Sequence, residues 1–207
     1  MSNNFRSCIL LCGGMSRRMG EDKGSMIIYD KPMIIHILDT LNHNIDEVII
    51  VLNNSLRIEK YQEIINQQIY SFSIKFVEDE IKDKGPLSGI MTGLKNSISD
   101  YSLILPCDSP KISEQFLNYI YDSVKDLNKD ALILYHDPKD KIKTSEPLHS
   151  VYSKSNYKQI EKLINENKLD VKSLIKEIDC EFIKIDNKNI LKKDIKNFNS
   201  KKDIEMI

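Results

Sequence analysis

Short runs of apolar, mostly β-branched residues alternate along the chain with longer stretches that mix polar and apolar positions. The pattern predicts strands over 7–11, 47–52, 73–77, 101–105, 131–135 and 181–185. It predicts helices beginning near Pro32, Ser55, Pro86, Ser113, Ser153 and Asp170, where Pro, Ser or Asp supplies a first-turn or capping residue. Such alternation marks βαβ units, so the expected fold class is α/β: a single-domain, Rossmann-like three-layer sandwich around a mainly parallel central sheet. A sheet of this kind receives its ligand at the carboxyl ends of its strands, which directs attention to the residues after Leu11, Leu52, Val77 and Leu105.

At 207 residues the chain has the length of one domain with a modest elaboration. Lys and Arg number 30 against 31 Asp and Glu, leaving a net charge of −1. No overall field draws such a protein to nucleic acid or to an acidic membrane, and any anion site must be assembled locally. Cys8, Cys12, Cys107 and Cys180 are too few and too scattered for a disulfide framework and are expected as reduced thiols. The longest apolar runs, 8–12 and 48–52, fall far short of the ~20 residues of a membrane span, and a soluble, cytoplasmic protein is expected.

The first strand end carries Cys12-Gly13-Gly14-Met15-Ser16-Arg17-Arg18-Met19-Gly20-Glu21-Asp22-Lys23-Gly24. Glycines let a backbone approach phosphate oxygens and aim N–H groups at them, and Arg and Lys supply the charge a triphosphate needs. A flexible glycine loop with solvated basic residues is the alternative; Arg17, Arg18 and Lys23 within a dozen residues favour the anion site. The spacing of a P-loop is absent, as is Gly-x-Gly-x-x-Gly, so neither a P-loop NTPase nor a dinucleotide fold is supported. The fourth strand runs into Pro106-Cys107-Asp108-Ser109-Pro110, which delivers one carboxylate to the strand end. A single Asp facing phosphates suffices for Mg²⁺, which keeps several waters, so Asp108 is the best metal ligand of the chain, with a turn-capping role as its competitor. After the third strand, Asp79 is a candidate polar contact to a nucleotide or its metal, against a solvated acidic turn. Gly85 and Gly89 would allow close approach of a ligand or of the helix backbone.

These residues carry a resemblance. Leu11 to Lys23 resembles the Leu-x-Gly-Gly-x-Ser-x-Arg-Met-Gly-x-Asp-Lys signature of the MobA-type molybdenum cofactor guanylyltransferases, a branch of the nucleotidyltransferase superfamily with a nucleotide-diphospho-sugar transferase-like fold. Asp79 with Gly85-Pro86-Leu87-Ser88-Gly89 is similar to that family's Asp and Gly-Pro-Leu-Ala-Gly segment, and Pro106 to Pro110 to its Pro-Cys-Asp-x-Pro metal motif. Pro147-Leu148 through Tyr152 looks like its later Pro-Leu…Tyr strand. Asn197 to Ile204 is similar to its Asn-x-Asn-Thr-Pro-x-Asp-Leu segment. Cys12 stands where Ala is usual, Asp30-Lys31-Pro32 replaces Gly-Lys-Pro, and Ser200-Lys201 replaces Thr-Pro.

The resemblance implies attack by the terminal phosphate of molybdopterin on the α-phosphorus of GTP, with Mg²⁺ as cofactor. It implies a nucleotide-binding half over about 1–110 and an acceptor-binding half over about 111–207. It assigns catalysis to Arg17, Lys23 and Asp108, with Asp108 as the metal ligand. Nucleotide contacts fall to Leu11, Cys12, Gly13, Gly14, Ser16, Arg18, Lys23, Asn53, Asp79, Gly85, Pro86, Leu87 and Asp108, and acceptor contacts to Asn197 and Asn199. Transient contact with molybdenum cofactor biosynthesis proteins and apo-molybdoenzymes follows, with no nucleic acid and no membrane partner.

Cys107 has no His beside it in the motif and is expected as an inert buried thiol. His36, His43, His136 and His149 lack zinc-site spacing and are expected to be structural, with His149 in a segment near the acceptor. Two other functions stay open: a transferase using CTP or another NTP on a phosphorylated acceptor, against which Gly14 speaks because Ala-Gly is usual in the cytidylyl branch, and a non-catalytic carrier of nucleotide or cofactor.

Overall fold

A computed structural model of the chain describes residues 5–13, 22–188, 190 and 192–198. Its elements in chain order are β1 (Ser7–Leu11), β2 (Ile27–Ile28), β3 (Lys31–Pro32), α1 (Met33–Leu41), β4 (Glu47–Leu52), α2 (Ser55–Ile65), β5 (Ser73–Glu78), α3 (Gly85–Asn96), β6 (Tyr101–Pro106), α4 (Glu114–Val124), β7 (Ala131–Tyr135), β8 (Val151–Ser153), α5 (Asn156–Asn165), α6 (Val171–Glu177) and β9 (Cys180–Lys184). The six expected strands all form, within a residue of their expected ends. Asn54, Ser113 and Asp170 cap α2, α4 and α6, each side chain accepting the backbone N–H three residues on, at 3.0, 3.2 and 3.1 Å.

Seven strands build one sheet in the order β5-β4-β1-β6-β8-β7-β9. All run parallel except β8, which is antiparallel to both β6 and β7. Successive side chains of a strand point to opposite faces, so a strand covered on both must be apolar throughout. In β1, Cys8 and Leu10 pack with α1, α2 and α4, whereas Ile9 packs with α3, α5 and α6. These two helical layers and the sheet between them make the expected three-layer sandwich. All six residues of β4 are buried, each apolar one stabilising the fold by roughly 1.5–3 kcal/mol relative to exposure.

Two elements depart from expectation. The stretch 151–153 is the short strand β8, which moves the start of α5 from near Ser153 to Asn156. Ahead of α1, β2 and β3 form a two-stranded antiparallel ribbon closed by Tyr29 and Asp30, with φ of 46° and 68°.

The amino ends of the strands are held by the carboxylate of Glu47, 3% exposed, whose Oε2 accepts from Ser7 Oγ at 2.7 Å and from the backbone N–H of Ile98 at 3.1 Å. At the other end of the sheet, the chain leaves β1 toward β4 and β5 on one side and returns through α3 to β6 on the other, a reversal that opens a crevice. No helix among the described residues is long and apolar enough to cross a membrane.

Candidate active site

The crevice is a cavity of about 500 Å³ at the carboxyl ends of β1, β4, β5 and β6. Leu11 lines it from the end of β1, Gly13 and Lys23 from the segment that follows, Asn53 from that after β4, and Asp79 from that after β5. Gly85 and Pro86 contribute from the start of α3, Asp108 from the segment after β6, and Asn197 from the far wall. Eight of the residues singled out in the sequence as nucleotide contacts and one acceptor residue therefore meet in one place. Leu87 does not join them: it is fully buried in the core beneath α3. Gly14, Ser16, Arg17, Arg18 and Asn199 lie outside the described residues.

The strand end prepares the cavity floor through its backbone. Cys12 N–H donates to Val51 O at 2.9 Å and Leu11 O accepts from Cys107 N–H at 3.2 Å, so the sheet ladder runs one residue past β1. The Cys12 side chain is fully buried in the core, and burial, followed by its contact with the Cys107 thiol, pushes its own thiol well up from the usual value. Such a thiol is unreactive. Gly13 comes next, and a Cβ there would collide with the Asn53 side chain, so the glycine is what lets these two loops approach.

Lys23 Nζ lies 2.7 Å from Asp108 Oδ2, the side chains 22% and 13% exposed. The segment carrying Lys23 is braced from below. Asp22 Oδ1 accepts from Tyr61 Oη at 2.7 Å and pairs with the Arg57 guanidinium at 2.7 Å, while Arg57 Nε donates to Asp22 Oδ2 at 3.3 Å. Burial works against the Arg57 charge, but the Asp22 carboxylate outweighs it and holds the guanidinium above its ordinary value. A Cβ at Gly24 would strike the Tyr61 hydroxyl. Arg57 and Tyr61 sit on α2, and nothing in the sequence beyond the Asp22 of the loop motif points to them.

Asp79 is no solvated turn residue. Its Oδ1 accepts from Ser88 Oγ at 2.5 Å, Thr92 Oγ1 at 3.1 Å and Ile81 N–H at 3.5 Å, and its own N–H donates to Leu52 O at 2.7 Å. Burial raises its pKa, with the hydrogen bonds from Ser88 and Thr92 opposing. Oδ2 accepts from no described residue and is available to a ligand. Asp83, on a backbone with φ of 60°, joins the same wall.

The far wall is tied to the loop after β6. Phe198 N–H donates to Asp108 O at 2.7 Å, and the Phe198 ring, 2% exposed, is buried with Ile28 and Met33. Ser109 Oγ donates to Asn197 Oδ1 at 2.6 Å and lies 2.8 Å from His149 Nε2. His149 follows Leu148, a cavity residue, in the 3-10 turn Pro147–His149, and burial pushes its pKa down to about 4. His36 and His136 contact Ile28 O and Glu146 Oε1 instead. Among the described residues the cavity is lined by one cation, carboxylate oxygens, amides and glycine backbone; the one hydroxyl beside an imidazole, Ser109 with His149, is buried and gives its proton to Asn197 instead.

Comparisons with known proteins give the family and the fold. Residues 8–181 match the MobA-like NTP transferase domain. A protein of Methanothermobacter thermautotrophicus named as a probable molybdenum cofactor guanylyltransferase is 34% identical over 174 residues, covering 83% of this chain and 83% of its own. A Methanosarcina mazei protein of the same name is 31% identical over 169 residues, covering 81% of this chain and 72% of its own. The crystal structure of molybdopterin-guanine dinucleotide biosynthesis protein A from Archaeoglobus fulgidus shares the fold, with a TM-score of 0.77 over 97% of this chain and 95% of that one at 20% identity. The match to the domain over most of the chain, and the identity to relatives along most of their length, make the chain a member of the MobA-like NTP transferase family.

Proposed function

We propose that the protein transfers GMP from GTP to the terminal phosphate of molybdopterin, giving the guanine dinucleotide form of the cofactor and pyrophosphate. The observation that carries this reading is the meeting of Lys23 and Asp108 at 2.7 Å across a cavity also lined by Asn53, Asp79 and Asn197. The relatives named as guanylyltransferases support the choice of substrates.

In this reading the 1–110 half binds nucleotide and the 111–207 half binds acceptor. Lys23, with Arg17 and Arg18, neutralises the β- and γ-phosphates as they leave. Gly13 and Gly14 admit the nucleotide to the backbone, Leu11, Ser16, Asn53, Gly85 and Pro86 form its pocket over the buried Cys12, and Asp79 Oδ2 accepts from its N–H or hydroxyl groups. Asn197 and Asn199 meet the acceptor. An ionised phosphate needs no general base, so the reacting oxygen attacks the α-phosphorus directly, pyrophosphate departs, and positioning with electrostatics sets the rate.

Mg²⁺ suits the residues present. Asp108 Oδ1 is buried with no hydrogen-bond partner among the described residues, and a lone carboxylate facing substrate phosphates is the usual way a protein holds this ion. Bound there by Asp108, it would supply charge stabilisation at the phosphate oxygens. A cytoplasmic location and transient contacts with other molybdenum cofactor proteins and apo-molybdoenzymes belong to the same proposal.

The test is to supply the protein with Mg²⁺, molybdopterin and each NTP in turn and to identify the product by mass. GMP incorporation is expected; CMP incorporation would move the activity to the cytidylyl branch, and no nucleotidyl product would reject the transfer and favour the carrier reading.

A further inference from the structure

The wall opposite the phosphate loop contains a directional hydrogen-bond chain. Ser109 Oγ donates its single proton to Asn197 Oδ1 at 2.6 Å. None is left for His149, so the 2.8 Å contact between Ser109 Oγ and His149 Nε2 requires the proton to sit on Nε2. His149 Nδ1 then carries a bare lone pair, and it is buried with no partner among the described residues. With its oxygen held at Ser109, the Asn197 amide keeps both Nδ2 hydrogens for a ligand, and Nδ2 meets no acceptor among the described residues.

We propose that His149 is a positioning residue, which acts through Ser109 to fix the Asn197 amide with its N–H donors toward the cavity, as a receptor for a phosphate oxygen of the acceptor. The opposite orientation would present a carbonyl oxygen, which repels phosphate and suits a cation. The chain of contacts therefore gives Asn197 to the acceptor phosphate rather than to Mg²⁺. The backbone bond from Phe198 N–H to Asp108 O sets the distance between this donor and the loop after β6. The phosphate occupant rests on the transfer reaction proposed above; the direction of the hydrogen bonds does not.

Two measurements on the full chain separate these parts. Long-range ¹⁵N–¹H correlation spectra, with the His149→Gln variant assigning the signal, are expected to show His149 as the Nε2–H tautomer at neutral pH; the Nδ1–H tautomer would overturn the proposal whether or not the protein turns over. In steady-state transfer, Ser109→Ala and His149→Leu are expected to raise the KM for molybdopterin about tenfold and leave that for GTP within about twofold. His149→Gln, whose amide N–H can stand in for Nε2–H, is expected within about threefold of the parent. An equal rise in both KM values, or no rescue by Gln, would overturn the proposal. A parent protein that makes no nucleotidyl product while showing the Nε2–H tautomer would reject the reaction and the phosphate role of Asn197, and uphold the hydrogen-bond direction.

Discussion

Lys23 and Asp108 are 85 positions apart in sequence and 2.7 Å apart in space. The contact joins the loop after the first strand to the loop after β6 across the point where the sheet reverses its winding. In the proposed reaction a triphosphate entering the cavity would compete with Asp108 for the ammonium group, and the carboxylate so released would be able to hold a metal. Nucleotide binding and readiness for metal would then be coupled through one ion pair.

Replacing Asp108 with Ala removes the carboxylate while leaving the sheet untouched. Mg²⁺-dependent transfer is expected to fall by at least about a hundredfold, with an unchanged far-ultraviolet spectrum. Normal pyrophosphate release by this variant would reject the metal assignment.

Lys23→Ala withdraws the charge proposed to meet the phosphates and breaks the ion pair with Asp108 Oδ2. GTP affinity is expected to drop roughly ten- to a hundredfold, read by equilibrium titration, with transfer slowed. Unchanged affinity and kinetics would remove the phosphate role.

Gly13→Ala forces a methyl group against the Asn53 side chain. Because the atom met is the Oδ1 end of a half-buried, rotatable side chain, the expected loss in chemical denaturation is small, about 1 kcal/mol or less. Adding Asn53→Ala removes the obstacle, so the double variant is expected to be more stable than Gly13→Ala alone; additive losses would show that the two side chains do not collide.

His149 gives stability an acid dependence of known sign. Its ordinary pKa of 6.5 is lowered by burial to about 4, so below pH 6.5 the unfolded chain takes up a proton that the folded one refuses. The resulting loss grows as pH falls from 6.5 to about 4, reaching about 2 kcal/mol at pH 5 and about 3 kcal/mol at the end of that window. Urea unfolding at pH 7 and 5 is expected to show this loss in the parent and to lack it in His149→Gln; the same drop in both would assign the acid sensitivity elsewhere.

The strands were legible where both faces are covered: 47–52 and 131–135 form with the bounds expected, because a continuous apolar run has no other use in a domain of this size. β8 was not, since three residues show no period, and only the likeness of Pro147-Leu148…Tyr152 to a family strand pointed to it. At the site, Gly13, Lys23 and Asp108 were readable because their chemistry is local to a strand end. Leu87 was misleading in the opposite way: its place in a glycine-rich motif suggests the cavity, while the turn of α3 aims it into the core. Arg57 and Tyr61 act only through Asp22, a contact made across 35 and 39 positions, which no pattern within one segment encodes.

The Ser7, Glu47 and Ile98 contacts cap the rim remote from all of this chemistry. Ile98 is 64% exposed there, on the opposite edge from every ligand-facing group. A fluorophore or surface tether attached at that position would report on, or immobilise, the molecule without obstructing the mouth through which its substrates come and go.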